Sequence, residues 1–530
     1  MAMHNILITD DLSPEALERL ETAEDASFDV IRRPSLEQLR RIVSDYDAVI
    51  IRSSVRVDAD LLAFASRLKV IGRAGMGLDN VDIDAASLRG VIVMNTPGAN
   101  TIATAEHALA MLLALCRHVP QADASVRDGE WMRSQFFGVQ LYRKTLGVVG
   151  LGRIGAQVAR RTQAFGMTVI AFDPYISDDV ARELNVTLVD LDELLARSDF
   201  ITLHTALTSE TQDMIDAQAI ARMKTGVRLV NCARGGLVDE VALADALRSG
   251  HIAGAALDVF VDEPLSSGSP LRALPNVILT PHIAASTVEA QHDVGTQIVD
   301  QVLAALRGKD FRNAVNMPVL DAGVFQVLKP YLLLAEKLGS LQMQLSEGRI
   351  KRVEVEFQGE EVSAHVKPLT VALLKGLLDP ITDTPVNHIS APHLAMQRGI
   401  SVSETRGLPT PNYANLLSCR VLWGDGERLV SGSLLGHEFP RVVQIDTFRI
   451  DAPPEGIILV MESTDVPGVI GRVGTLLGAR GINIAEWRLG RIAPGGQALS
   501  FINLDSPAPS GVLAELVQLQ GVNRVRQVEL

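Results

Sequence analysis

The stretch from Leu146 to Asp173 limits the fold more than any other part of the chain. A short apolar run, Leu146 to Val149, enters a turn with glycines at Gly150, Gly152 and Gly155, and an amphipathic segment follows. A second apolar run, Thr168 to Phe172, ends at Asp173. Strand, glycine turn, helix, strand and an acid about 20 residues beyond the turn are the fingerprint of a dinucleotide-binding βαβ unit. Each residue type has its reason. Gly150 permits the tight turn, Gly152 lets the backbone approach a pyrophosphate, and Gly155 lets the helix pack close to the sheet. The helix start presents N–H groups and partial positive charge to phosphates. Asp173 suits the two hydroxyls of an adenosine ribose and repels a 2′-phosphate, which selects NAD over NADP.

With 530 residues the chain exceeds what one core organises, so roughly three or four domains are expected. Apolar residues make up 47% and aromatics only 4%, so the cores must be built from Ala, Val, Leu and Ile. The formal charge is −14 and no basic stripe offsets it. That balance argues against nucleic acid and anionic membrane as partners, and local arginines must hold any anionic substrate. Cys116, Cys232 and Cys419 are scattered and show neither a disulfide framework nor metal-ligand spacing. They suit a reducing cytoplasm, and no metal is expected. The start, MAMHNILITDDLS, lacks the basic and apolar regions of a targeting peptide, and the apolar stretch Ala108 to Cys116 is too short to span a bilayer.

Apolar runs at 5–9, 48–52, 68–73 and 91–95 alternate with amphipathic helices, which is α/β patterning. Residues 101–118 have helical periodicity; strands are expected near 200–203, 228–231, 254–257 and 277–280, then a helical stretch at 285–307. Two long helices bracketing the cofactor unit place it, as 101–284, inside a discontinuous substrate domain of 1–100 and 285–316. Both are expected to be Rossmann-like, doubly wound parallel sheets. Asn316-Met317-Pro318 and Pro453-Pro454-Glu455-Gly456 mark further boundaries. Residues 317–453 read as mixed α+β, with a strand at 352–358 and a helical stretch at 365–378. Residues 454–530 read strand, helix, strand, strand, helix, strand, a ferredoxin-like βαββαβ module. In its first helix Asp465 is placed as a cap, Pro467 near the first turn and Gly481 past the end.

Three segments, VNCARGGLVDE (230–240), ALDVFVDEP (256–264) and LTPHIAAST (279–287), place polar residues at the ends of expected strands. Open α/β sheets bind ligands at that edge. Reduction of a keto acid needs a cation for the carboxylate, an acid for the carbonyl oxygen and a partner that tunes the acid. Arg234 supplies a bidentate cation, His282 a group that gives and takes one proton near neutral pH, and Glu263 a carboxylate to pair with the imidazole. Asp258 is placed against the nicotinamide amide. Taken singly, each residue reads better in a plainer role: Arg234 as a helix cap, Glu263 as a solvated loop acid and His282 as a turn residue.

In combination these motifs resemble the D-isomer-specific 2-hydroxyacid dehydrogenases, where an Arg, a Glu and a His follow the cofactor fingerprint in this order. The resemblance implies that Arg234 binds substrate, Glu263 tunes the acid and His282 is the acid–base group. It also implies an NAD site made of Gly150, Gly152, Arg153, Ile154, Gly155, Asp173, Thr205, Cys232 and Asp258. Within the family, IRSSVRV (51–57), GRAGMGLDNVD (72–82) and NTPGANTIATAEHALA (95–110) are similar to the branch that oxidises D-3-phosphoglycerate to 3-phosphohydroxypyruvate, the first step towards L-serine. That likeness implies Arg52 and Arg73 on the phosphate side, with Ser53 and Asn100 nearby. In GEWMRSQF (129–136) it implies that Trp131 packs across a subunit interface and Arg133 reaches a neighbour's site. The plainer alternative has Trp131 filling a gap in its own subunit.

Residues 457–530 resemble an ACT module, chiefly through DVPGVIGRVGTLLGARGINI (465–484). This implies an effector site near Asp465 and Asn483, with L-serine as the ligand in regulated relatives; capping and turn formation are the competing roles. The chain departs from some regulated relatives at Ser463-Thr464 and Val466. Residues 318–452 resemble the family's intervening domain, an allosteric substrate-binding domain in some relatives, with Arg441 and Arg449 as anion-binding candidates. A homo-oligomer, a tetramer, is implied. Two other readings stay open: a dehydrogenase for glycerate or hydroxypyruvate, and a non-catalytic NAD sensor like the co-repressors that share this fold.

Overall fold

The computed structural model describes residues 3–317, 322–382, 386–408, 411–424 and 426–530. Pro318, one of the residues read as a boundary, lies outside them. The chain divides into two compact units. One holds the chain up to Asp11, Leu20–Asn95 and Ile298–Leu530; the other holds Leu12–Arg19 and Thr96–Gln297.

The first unit opens with strands β1 (His4–Ile8), β2 (Ala26–Val30), β3 (Ala48–Ile51), β4 (Val70–Arg73) and β5 (Ile92–Asn95), in the order β2-β1-β3-β4-β5. All pairs are parallel. Four of these strands follow the apolar runs, because central parallel strands are covered on both faces. The fifth, β2, is the largely uncovered edge strand ASFDV, and no apolar run marks it. Parallel strands finish on one common edge. Ile51 pairs with Arg73, so Arg52 and Arg73 emerge side by side there.

The second unit is built on β6 (Thr145–Val149), β7 (Thr168–Phe172), β8 (Thr187–Leu188), β9 (Phe200–Leu203), β10 (Val227–Asn231), β11 (Ile252–Leu257) and β12 (Val277–Leu279). Their order is β12-β11-β10-β9-β6-β7-β8, again all parallel. The winding reverses at β6, with β7 and β8 on one side and β9 to β12 on the other. A crevice opens at such a reversal, outside the carboxyl ends of the strands. The helix Thr101–Arg117 buries Ala105, Ala108, Leu112 and Leu115 in the core with Leu146 and Val148 of β6. Among the described residues no single helix is long and apolar enough to cross a membrane.

The rest of the first unit carries two further sheets. Strands β13 (Ile350–Gln358), β14 (Ser401–Gly407), β15 (Leu416–Trp423), β16 (Gly426–Leu435), β17 (Phe439–Ile445) and β18 (Phe448–Ala452) lie in the order β14-β13-β15-β16-β17-β18. Only β14 runs parallel to its neighbour. Two helices, Ala322–Leu345 and Val366–Leu378, pack against each other at Gly339 and Gly376. A Cβ there would lie 2.0 Å from the Leu373 oxygen and 1.9 Å from the Glu336 oxygen, so the approach requires glycine.

Strands β19 (Ile457–Thr464), β20 (Ile484–Arg491), β21 (Gln497–Leu504) and β22 (Val522–Glu529) form an antiparallel sheet in the order β20-β21-β19-β22. Alternate residues serve opposite faces. Leu459, Met461 and Ile502 meet the helices Val469–Ala479 and Ser510–Val517 through Val473, Leu477 and Leu516. Ile458, Val460, Phe501 and Val528 point the other way and join the core of Leu338, Leu341 and Leu345. The module is therefore covered on both faces. Gln344 adds a two-way clasp, its Nε2 donating to the Glu529 oxygen (2.7 Å) while its Oε1 accepts from the Glu529 N–H (3.0 Å).

One expectation is corrected here. Asp465 does not cap the helix that follows. Pro467 and Gly468 intervene, and Gly468, at φ +90°, is the residue that precedes the first turn. The Asp465 carboxylate instead accepts from Arg491 Nη1 at 2.7 Å.

Candidate active site

At the end of β6 the three glycines do three separate jobs. Gly150 sits at φ +90°, and a Cβ there would lie 2.8 Å from the His204 carbonyl. A Cβ on Gly155 would lie 2.0 Å from the Gly150 oxygen, so the helix Arg153–Ala164 packs tightly onto the turn. Gly152 differs: a Cβ there would meet nothing within 4 Å, so its backbone faces open space. No side chain caps this helix, and its first N–H groups, with Arg153 and Ile154, point to an anion-binding start. Asp173 braces the turn. Its Oδ2 accepts from the Leu151 N–H (2.8 Å) and its Oδ1 from the Tyr175 N–H (2.9 Å). A carboxylate has about four acceptor positions, so each oxygen retains one for a ribose hydroxyl. The open cradle, bare helix start and acid fit a dinucleotide with an unphosphorylated adenosine ribose.

Thr205 and Cys232 follow β9 and β10, the strands beside β6. Burial, with the nearby Asp258 charge, pushes the Cys232 thiol well above its usual range, so Cys232 is a packing neighbour there rather than a nucleophile. Next to Thr205, the His204 ring is hydrogen-bonded through Nε2 to Thr202 Oγ1 at 2.9 Å. Burial pushes this imidazole down to about 4. It folds neutral but takes up a proton when unfolded below about pH 6.5. The unfolded chain therefore binds more protons between those two values, and stability is lost as pH falls through that window. Between about pH 7.5 and about pH 5 the His204 share is about 2 kcal/mol. Urea unfolding of His204→Gln should show a correspondingly smaller loss on acidification; an undiminished loss refutes the assignment.

The catalytic candidates lie on the other side of the reversal, after β10, β11 and β12. Asn231 shapes the turn that carries Arg234. Its Nδ2 donates to the Arg234 oxygen (2.8 Å) and its Oδ1 accepts from the Ala233 N–H (3.0 Å). Arg234 Nη1 donates to the Ala233 oxygen at 2.7 Å, and Arg234 precedes the short 3-10 turn Gly235–Leu237 without a side-chain capping bond to it. A Cβ on Gly235 would lie 1.9 Å from the Phe260 carbonyl carbon, so this turn lies directly against the loop holding Glu263. Asp239 caps the next helix, Glu240–Ser249, through Val241 and Ala242. The cap aims Glu240 back, and its Oε1 accepts from the Val261 N–H at 2.8 Å.

Glu263 and His282 meet. Glu263 Oε1 accepts from the Phe260 N–H at 3.1 Å, and its Oε2 lies 2.7 Å from His282 Nδ1. Burial pushes the Glu263 carboxyl up, but His282 and the Phe260 N–H outweigh it and hold the group below its ordinary value. It is ionised at neutral pH. With Nδ1 engaged, Nε2 is the ring nitrogen that a substrate can meet. The two side chains are 42% and 37% exposed, so the pair is open to a ligand.

Asp258, the residue expected against the nicotinamide amide, is 0% exposed. Its Oδ1 accepts from Thr280 Oγ1 (2.6 Å) and the Ile283 N–H (2.9 Å), and its Oδ2 accepts from the Ala284 N–H (2.9 Å). Its backbone oxygen accepts from the His282 N–H at 2.9 Å. The carboxylate is enclosed by the loop that presents His282. Thr280 and Glu240 stand inside motifs singled out by sequence but were not assigned.

In the first unit, the Arg52 N–H donates to Asp10 Oδ2 at 3.0 Å, and Asn80 Nδ2 ties the Arg52 oxygen (2.6 Å) to the Val55 oxygen (2.5 Å). The Arg73 guanidinium folds over Gly75, where a Cβ would lie 1.8 Å from Nη1. Ser53 is exposed on the same turn. Asn100 and Arg133 belong to the second unit. Asn100 precedes the helix Thr101–Arg117 without capping it, and Arg133 is exposed in a short turn beside Trp131. Trp131 is 77% exposed, which removes the reading that it fills a gap in its own subunit. In the C-terminal module Asn483 Nδ2 donates to Asp505 Oδ2 at 2.7 Å, so Asn483 and Asp465 both engage neighbours within the module. Arg441 pairs with Asp451 Oδ1 at 2.7 Å.

Residues 109–284 match the NAD-binding domain of the D-isomer-specific 2-hydroxyacid dehydrogenases, 327–446 the D-3-phosphoglycerate dehydrogenase intervening domain, and 457–521 the ACT domain. The chain is 43% identical over 529 residues to a D-3-phosphoglycerate dehydrogenase of Synechocystis sp., covering 100% of this chain and 95% of that one. It is 43% identical to the enzyme of that name from Archaeoglobus fulgidus, over 99% and 100% of the two chains. Among solved structures, a D-lactate dehydrogenase from Aquifex aeolicus complexed with NAD and lactic acid matches with a TM-score of 0.53 at 31% identity. That match covers 57% of this chain and 96% of that one. A glyoxylate reductase from Paecilomyes thermophila matches at 0.55 and 31%, over 59% and 99%. Full-length identity and all three matched domains place the chain in the D-3-phosphoglycerate dehydrogenase family.

Proposed function

We propose that this chain catalyses the NAD-dependent oxidation of D-3-phosphoglycerate to 3-phosphohydroxypyruvate, the first step of L-serine biosynthesis. The observation that carries the reading is the 2.7 Å Glu263–His282 contact at the carboxyl edge of the sheet that also holds the glycine turn. When bound, NAD supplies the hydride acceptor for C2 of the substrate. His282 takes the hydroxyl proton on Nε2, and in the reverse direction returns it to the carbonyl oxygen. Ionised Glu263 fixes the ring through Nδ1 and stabilises its charged form. The Arg234 fork aligns the substrate carboxylate.

Arg52 and Arg73, with Ser53 and Asn100, take the phosphate, and Arg133 serves the site of a neighbouring subunit. In this reading 1–100 with 285–316 holds substrate and 101–284 holds NAD, with 317–453 intervening and 454–530 regulatory. The ACT domain supports control by a small molecule; we assign L-serine to it, near Asp465 and Asn483. The exposed Trp131 and Phe137 support a homo-oligomer, which we read as a tetramer. Three buried free thiols suit a cytoplasmic location.

Purified protein should consume NADH with 3-phosphohydroxypyruvate and prefer it to hydroxypyruvate. Replacing Arg52 and Arg73 together by Ala should lower turnover of the phosphorylated substrate at least about tenfold more than that of the plain one. Equal losses refute the phosphate assignment. No turnover by the unaltered protein favours an NAD sensor.

A further inference from the structure

We infer that His107 is a positioning residue for the catalytic loop: from the helix Thr101–Arg117 its imidazole fixes Asp258, and Asp258 fixes the backbone that presents His282. The inference rests on the reading of His282 as the proton carrier. His107 Nε2 lies 3.3 Å from Asp258 Oδ1 and 3.4 Å from Thr280 Oγ1, with the side chain 18% exposed. One turn further along, Met111 Sδ lies 3.9 Å from the same Thr280 hydroxyl. Residues four apart share a helix face, so this helix addresses the end of β12 with a donor and an apolar side chain together.

The His282 loop needs such support. His282 is held at φ +53°, a conformation strained for a non-glycine residue that persists only where its surroundings over-determine it. The bonds that do so converge on Asp258, which binds the N–H groups of His282, Ile283 and Ala284. A fully enclosed carboxylate is in turn costly without partners. The loop and Thr280 supply donors from beside Asp258, whereas His107 reaches the carboxylate from a separate helix. Burial pushes the Asp258 carboxyl up, yet His107, Thr280 and the two N–H groups together hold it below its ordinary value. His107 thus acts on the anchor of the loop, without contact to the reacting atoms.

Two substitutions separate positioning from simple space filling. His107→Phe keeps the ring and removes the nitrogen; His107→Gln keeps a donor near the position of Nε2. Each full-length variant is assayed for kcat and KM with NADH and 3-phosphohydroxypyruvate, for NADH affinity by fluorescence, and for amide hydrogen exchange across residues 279–287. His107→Phe should lose kcat roughly 10- to 100-fold with KM and NADH affinity little changed. Its Ile283 and Ala284 amides should exchange about tenfold faster, and His107→Gln should recover most of both properties. Unchanged exchange or unchanged kcat in His107→Phe overturns the inference, as does a His107→Gln protein equally impaired. An inactive wild type would instead sink the proposed function, and the exchange comparison would still decide whether His107 holds the loop.

Discussion

His282→Asn lowers kcat by roughly 10²- to 10⁴-fold while NADH binds as it does to the unaltered protein. The size follows from the role: asparagine can hydrogen-bond but cannot carry the proton between substrate and solvent. The selectivity follows from the fold. His282 stands after β12, whereas the glycine turn and Asp173 stand after β6 and β7, so the dinucleotide cradle is untouched. Steady-state kinetics with a fluorescence titration of NADH check both halves. A variant that keeps kcat within about fivefold, less than the smallest contribution expected of a general acid–base group, removes His282 from the chemistry.

Arg234→Lys lowers kcat/KM by roughly 10²- to 10³-fold, although it preserves charge. Lysine is a point charge on a flexible stem and cannot reproduce a bidentate fork, so the substrate carboxylate loses its alignment. At about 1.4 kcal/mol per tenfold this is about 3–4 kcal/mol of transition-state binding. The turn itself should survive, because Asn231 bonds both the Arg234 oxygen and the Ala233 N–H and Gly235 seats it against Phe260. Comparing kcat/KM with NADH affinity tests this. Retention of kcat/KM within about threefold, half a decade on the same scale, would show that another cation holds the carboxylate.

Where elements are covered on both faces, the chain announces them. The central parallel strands appear as apolar runs, and the helices at 101–118 and 365–378 match Thr101–Arg117 and Val366–Leu378 closely. Edge strands do not, because half of their surroundings is water: β2 is ASFDV and β14 is SVSETRG, both mostly uncovered. Candidate site residues were legible for a related reason. Arg234, Glu263 and His282 each follow a strand end, and a strand end is visible as the point where an apolar run stops. Asp258 shows the limit. Its place after β11 was evident, but its enclosure depended on Thr280, Ile283 and Ala284 folding around it. His107 carried no signal, because nothing in the sequence sets it apart from Thr101, Thr104, Glu106 and Arg117, the other polar residues of its helix.

By itself the sequence determined the βαβ cradle, the parallel sheets and the order of the C-terminal module, because those depend on patterns repeated over a few residues. Only the tertiary structure decided which side chains share a hydrogen bond. It set Glu263 against His282, turned Asp258 inward, gave Asp465 to Arg491 instead of the helix that follows, and brought His107 to the catalytic loop. The physical reason is range. Backbone conformation answers to near neighbours, whereas a carboxylate's partner is chosen when distant strand ends close on one edge and the buried charge takes whichever donor arrives there.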